Sequence, residues 1–420
     1  MNILAIVHNY VIHYFFKNKE FVMKNRGVFS LFTLILVILG LFTTCADTSD
    51  SGSPDSKYTV VPGDTLYAKL QWLGTNAASN SGYILEIAAD ETLGSQSLSY
   101  SGKSNITIQL KGIESPKTIF LRNDVSLFSI ENGVTLILKE NIILSMSENI
   151  YVSPSIIEVK FGGKLVMNQG AKIIGSKTVS GVRVYGGTFT MSGGEISGNT
   201  ANSSGGGVYV GGGTFTMSSG EISGNTAPSG GGGVNVAAGT FVMSGGKISD
   251  NIARNSNGGG VYVGDYGTFT MSGGEISGNT ANNGGGVYVS GYSSNTLINY
   301  EVHRGTFTMR GGEISGNISS VNGGGVYVAG GNFSGTSKPG GGVVESGGIF
   351  TKSGGTITGY TSDMVNGNVV KNSSGVVKEN QGHTAYDVSV SGSSLRRRET
   401  TAGPKVNMKS GLNGATGGWE

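Results

Sequence analysis

The run Gly-Gly-Thr-Phe-Thr-Met-Ser-Gly-Gly-Glu-Ile-Ser-Gly-Asn, which begins at Gly186, returns almost unchanged through the middle of the chain. Its phenylalanine recurs at Phe189, Phe215, Phe241, Phe269 and Phe307, at intervals of 26, 26, 28 and 38 residues. A period in this range marks a solenoid, in which each unit buries its apolar face only against the next unit. Inside the unit, apolar residues alternate with small polar ones, which is the two-residue period of a strand and not that of a helix. One turn is therefore expected to hold three short strands separated by glycine-rich corners. The fold class this predicts is all-β, a single-stranded parallel β-helix.

Composition agrees with an ordered body. Glycine supplies 74 of 420 residues and proline 7, together about 19 %, below the roughly 25–30 % of low-complexity disorder. Apolar residues make up 37 %, enough for a core drawn out along an axis. The formal charge is +2. Residues 1–44 carry Lys17, Lys19, Lys24 and Arg26 against Glu20, which leaves 25 basic and 26 acidic residues in the rest. No basic stripe is present, which argues against a nucleic-acid partner.

The one cysteine, Cys45, gains its meaning from what precedes it. Met23-Lys-Asn-Arg is followed by an apolar run from Val28 to Leu41 and then by Phe42-Thr43-Thr44. A positive segment, an apolar segment and a small-residue site in that order read as a signal peptide. The alternative, an uncleaved apolar anchor, has a run short of the ~20 residues that span a bilayer. A cysteine directly after the small residues resembles the lipobox of bacterial lipoproteins, with Phe42 in place of the usual leucine. The resemblance implies a lipid on Cys45, a start at Met23 with Met1 to Val22 as an upstream extension, and a chain held at the membrane facing outward.

Residues 45–57 are small and polar and read as a flexible tether. Residues 58–395 form the predicted β-helix, with irregular rungs over 58–180 and regular repeats over 186–359. Leu66, Leu70 and Leu73 lie at helical spacing, with Gly74 as a stop, and predict a short helix that covers the open first rung. Trp72 adds apolar cover. Runs such as Ile106-Thr-Ile-Gln-Leu and Lys164-Leu-Val-Met continue the strand pattern in the irregular part. Insertions at 291–304 and 330–347 are expected to leave a corner as loops. Residues 396–420 close the chain as a cap or tail, with Arg396-Arg397-Arg398 read as solvated loop. At ~25 residues and ~4.8 Å per rung, about 13 rungs and a length of ~60 Å follow.

Each position in the unit has an expected direction. Phe189, Met191 and Ile196 point inward, as do Val208 and Val210, while Gly193-Gly194 and Gly205-Gly206-Gly207 allow positive φ at the corners. Asn199, Asn225, Asn251, Asn279 and Asn317 recur at one corner. Stacked amides there would form a structural ladder that satisfies buried backbone groups, the other reading being ordinary turn asparagines. Among outward columns, Tyr209, Tyr262, Tyr288 and Tyr327, interrupted by Asn235, are candidate recognition residues whose rings suit sugar faces. The other reading is that tyrosine favours strands and packs on its neighbour. Glu195, Glu221, Lys247, Glu275 and Glu313 read as a solvated face in which Lys247 relieves repulsion. The Thr-x-Thr column from Thr188 and Thr190 to Thr306 and Thr308 resembles the ice-binding face of antifreeze solenoids, or is plain strand chemistry.

Some parallel β-helices are pectate lyases and glycoside hydrolases, which need paired carboxylates or a calcium-binding acidic cluster. The regular repeats hold only Asp250 and Asp265 as aspartates, and the body only His303 and His383 as histidines. The residues around Asp90, Glu91, Arg122 and Asp124 are where a site could still be assembled. No catalytic residue, metal ligand or cofactor is assigned.

The repeats resemble a family of surface lipoproteins from spirochaetes and gut bacteria built on the same unit, over Leu70 to Glu420, including the ending Gly417-Gly-Trp-Glu. They resemble more loosely the Gly-Gly-Ala-Ile and Phe-x-x-Asn repeats of polymorphic membrane protein adhesins, at Gly206-Gly-Val-Tyr and Ile196-Ser-Gly-Asn. The resemblance implies a right-handed β-helix at the outer surface of the cell envelope, attached through Cys45, that acts in adhesion or recognition of glycans or host proteins. The competing expectation is a polysaccharide-active lyase or hydrolase.

Overall fold

The computed structural model describes residues 57–122, 126–146, 155–291, 303–329 and 348–358, with 368–371, 388–390, 397–398 and 418–419. Cys45 and the residues before it, Asp124, residues 292–302 and 330–347, and most of 396–420 lie outside the described residues.

Strands of successive units pair in parallel, with equivalent residues side by side. Phe189 pairs with Phe215, Phe215 with Phe241, Phe241 with Phe269 and Phe269 with Phe307. Their rings stack at centroid distances of 4.6, 4.7, 4.7 and 4.7 Å. That is the spacing of hydrogen-bonded strands. Interplanar angles of 5–7° show that each turn is hardly rotated on the last, so this sheet is flat and untwisted. Flat sheets need a side-chain ladder to hold them, and a continuous column of rings supplies one. All these phenylalanines are fully buried, as are Met191, Ile196, Val208 and Val210 and their repeats. The expected solenoid is the observed fold.

The longest sheet path runs through eleven strands, from Tyr58–Val60 to Ile349–Ile357. A 10-stranded sheet runs from Gln96–Leu98 to Val388–Val390, and a 5-stranded sheet from Thr226–Ala227 to Val369–Val370. The third sheet, built on the Asn-Thr-Ala segment, is additional to the strands that alternation predicts. Eleven strands at ~4.7 Å make a stack of ~50 Å, shorter than expected because the later turns are longer than 25 residues.

Two local details differ from the sequence-based picture. Thr188-Phe-Thr-Met and Glu195-Ile-Ser belong to one ten-residue strand, Thr188–Ser197. The bend between them is a bulge with a register shift after Met191. Gly194 adopts φ +83 there, and a Cβ would lie 2.6 Å from the Ala171 carbonyl oxygen. At the Gly205-Gly206-Gly207 corner only Gly205 has positive φ. Gly206 is required by close approach instead, since a Cβ would come within 2.4 Å of the Gly232 oxygen.

The asparagine ladder is present and fully buried. Asn251 Nδ2 donates to the Ile222 carbonyl and to Asn279 Oδ1, and Asn251 Oδ1 accepts from the Asn225 backbone N–H and from Asn225 Nδ2. The ladder runs on to Asn368, whose Oδ1 accepts from Asn317 at 2.8 Å. A second ladder joins Asn257, Asn283 and Asn322, Asn322 Nδ2 donating to Asn283 Oδ1 and Asn283 Nδ2 to Asn257 Oδ1, both at 2.9 Å.

At the first rung, the helix α1 (Leu66–Asn76) buries Leu66, Leu70 and Leu73 as expected. Thr65 caps it by accepting from the Ala68 N–H at 3.1 Å. Gly74 does not stop it; the helix passes through to Asn76. Trp72 packs edge-on against Tyr83, 6.2 Å between centroids. At the other end Arg397–Arg398 is not loop but pairs antiparallel with Gly418–Trp419, and the latter lies against Ile349–Ile357.

Candidate functional site: a corner beside a tyrosine ladder

The Val-Tyr-Val strands build the site. Alternation sends both valines into the core, fully buried, and leaves the tyrosine outside and half-buried. Parallel register then aligns Arg183, Tyr209, Asn235, Tyr262, Tyr288 and Tyr327 in one column.

The tyrosines pack on each other. Tyr262 stacks on Tyr288 at 5.1 Å and 8°, and Tyr288 on Tyr327 at 5.4 Å and 23°. The facing surfaces of these rings are therefore covered, and the column offers ring edges and hydroxyls to solvent. Burial, with the neighbouring Tyr262 and Tyr327 hydroxyls, pushes the Tyr288 hydroxyl well above the usual phenol range. Burial also raises Tyr262, against an opposing hydrogen bond with Ser290. Both stay protonated and able to donate. Asn235 interrupts the ladder as a buried residue whose Nδ2 donates to the Gly230 carbonyl at 3.4 Å. Tyr209 lies beyond the gap, under the Arg183 guanidinium at 4.4 Å and tilted 51° to Tyr185.

The chain that follows each Val-Tyr-Val strand changes along the rod. Three early turns reach the next strand through 185–187, 211–213 and 237–239, three residues each. The next connectors are 264–267, 290–305 and 329–348, of four, sixteen and twenty residues. Each closes at its base with an equivalent backbone bond: the N–H of Gly267 to Gly264, of Gly305 to Ser290, and of Gly348 to Ala329, at 2.8, 3.0 and 2.9 Å. The strands on either side stay in register. The insertions thus leave one corner, on consecutive turns, beside Tyr262, Tyr288 and Tyr327.

Side chains missed by the repeat pattern gather at this corner. Gly264-Asp265-Tyr266-Gly267 is a tight turn that displays its two central residues. Asp265 Oδ1 accepts from the buried Ser290 hydroxyl at 2.5 Å. Tyr266 is 57 % exposed and stacks on the His303 imidazole at 4.4 Å and 26°. None of these residues recurs from unit to unit, so periodicity could not find them; their signal is the lengthening of the period to 28 and then 38 residues.

The charged column forms one wall of a trench of about 440 Å³ at the bulge, over Gly194 and Gly220. Lys172 bonds Glu195 at 2.7 Å and Lys247 bonds Glu275 at 3.3 Å. Lys172 and the Ser197 hydroxyl hold the Glu195 carboxyl below its usual range. Lys247 relieves one neighbour by direct contact; Glu221 instead accepts from the Ser249 hydroxyl at 3.2 Å. The threonine columns are in register from Thr188 to Thr306, broken by Val242.

The acidic residues of the opening rungs serve the backbone. Both Glu91 oxygens accept from the Leu66 N–H at 2.9 Å, at the start of α1. Asp90 accepts from the Thr118 N–H at 2.7 Å. Among the described residues no three His, Cys, Asp or Glu side chains gather as a metal site would require. No family model, curated protein or solved structure matches this chain.

Proposed function

We propose that this protein is a lipid-anchored rod at the outer face of the cell envelope that recognises glycans or proteins on another surface. The observation that carries the reading is the clustering of the 264–267, 290–305 and 329–348 connectors at one corner, on three consecutive turns. In repeat proteins such insertions commonly mark the binding face. The repeated turns supply rigidity through stacked rings and amides, and the unrepeated residues supply specificity. The leader and Cys45 support attachment, through their resemblance to lipoprotein signals.

Two measurements test this. Growth with a tagged fatty acid should label the protein, and Cys45→Ala should abolish the label; labelling of the variant rejects the anchor. The purified body, from Tyr58 onward, should bind glycan- or protein-coated surfaces, and shortening 290–305 and 329–348 to three residues each should abolish binding without unfolding the rod. Equal binding by the shortened rod rejects the corner as the recognition face.

A further inference from the structure

The tyrosine ladder was the expected platform for a sugar ring, but its inner rings already cover one another. Tyr266 is an exposed ring beside the ladder. Its position in a four-residue turn fixes it at the mouth of the insertion corner, and His303 supports one of its faces at 4.4 Å. With 57 % of the residue exposed, much of its surface away from His303 is left to solvent. A ring backed on one side and wet on the other is held ready for a flat apolar partner.

The neighbouring polar groups complement that ring. Asp265 precedes Tyr266 and is anchored through Oδ1 by the Ser290 hydroxyl. The second carboxylate oxygen has no hydrogen-bond or ion-pair partner among the described residues. Ser290 is buried and cannot swing out with its partner, so the carboxylate is oriented before any ligand arrives. The Tyr262 hydroxyl borders the same cluster. An aromatic face next to a fixed acceptor suits a molecule with C–H groups on one face and hydroxyls at its rim. A neutral pyranose has that form. A carboxylated or phosphorylated sugar would meet Asp265 as a like charge.

We infer that Tyr266, Asp265 and His303 form a binding subsite for a neutral sugar, with the ring stacked on Tyr266 and a hydroxyl donating to Asp265. The subsite rests on the recognition function proposed above and gives it a ligand class and a location. His303 acts as a positioning residue for the Tyr266 ring.

Proton NMR with lactose, cellobiose, mannobiose and diacetylchitobiose, each added to the body from Tyr58 onward, tests it. At least one should show saturation transfer concentrated on the C–H protons of one sugar face. Tyr266→Ala should weaken its binding tenfold or more, and Tyr266→Phe should retain it. Asp265→Asn should weaken binding less for the neutral sugar and relieve the rejection of glucuronate. His303→Ala should broaden the contact pattern while leaving the melting temperature within a few degrees. If the rod binds glycan-coated surfaces and Tyr266→Ala binds equally well, the subsite is wrong while the recognition reading stands. If none of the four sugars binds, the subsite is overturned. Loss of all surface binding by the native rod would remove the recognition reading as well.

Discussion

Single side chains in this rod matter through the column they belong to. Asn251 makes four side-chain hydrogen bonds across three turns, in a place without water access. Asn251→Ala leaves buried donors and acceptors unpaired, which should cost about 3 kcal/mol or more. The exposed Asn202→Ala should stay within about 0.5 kcal/mol. Urea titration of the two variants makes the comparison. Lys352 breaks a column in the other direction. It pairs with Met309 at the inward position, is 4 % exposed, and donates to the Gly355 carbonyl at 2.8 Å. Burial lowers its pKa, so the unfolded chain binds the proton more tightly than the folded one and the wild type gains stability as pH rises. Lys352→Met should therefore raise the melting temperature at neutral pH. The gap between the two proteins should narrow towards pH ~10.5; a gap independent of pH would contradict this.

At the scale of elements, glycine has two separate jobs that substitution can tell apart. Gly206 lies where a Cβ would meet the Gly232 oxygen at 2.4 Å, and backbone on both sides of a stack cannot retreat. Gly206→Ala should destabilise by about 1–3 kcal/mol. Gly74, inside α1, has nothing within 4 Å of its added Cβ. Gly74→Ala should stabilise by about 0.5–1 kcal/mol, through the lower entropy of the unfolded chain and better helix propensity. Thermal melts of both variants distinguish the crowded glycine from the free one. The tyrosine ladder brings an alkaline limit. Because burial raises Tyr262 and Tyr288, the folded state holds their protons more tightly. Stability present below pH ~10 is then lost as pH climbs from there towards the raised folded values. Replacing both residues with phenylalanine should flatten that loss.

For the whole rod, equivalence of turns makes length adjustable. Removing 214–239 joins Gly213 to Thr240 and places Phe189 directly on Phe241, as Phe189 now sits on Phe215. The shortened protein should keep its circular dichroism per residue and lose ~4.7 Å of length by small-angle scattering. Removing the ten residues 214–223 instead takes out Phe215, Met217 and Ile222, one inward row, and leaves the rest of that turn without its strand in the first sheet. That variant should melt well below the 26-residue deletion. Equal melting temperatures would mean that register is not what holds the turns together.

Much of this architecture could be read before any coordinates. Periodicity identified the solenoid, alternation placed Phe189, Met191, Ile196 and the valines inside, and recurrence of asparagine marked a ladder. These properties are repeated and local, so each copy restates the evidence. The bulge at Gly194, the crowding at Gly206 and the continuation of the ladder to Asn368 depend on what neighbouring turns bring within contact distance. Asp265 and Tyr266 lie in one turn, Ser290 and His303 in the next, and none of them recurs, so no pattern along the chain joins them. Whether an outward tyrosine shows a face or an edge is likewise set by the strand spacing, which brings like rings close enough to stack. Repetition dictated the rod, because identical units can only bury themselves against one another. The candidate site exists only where the fold carries unrepeated residues to one corner.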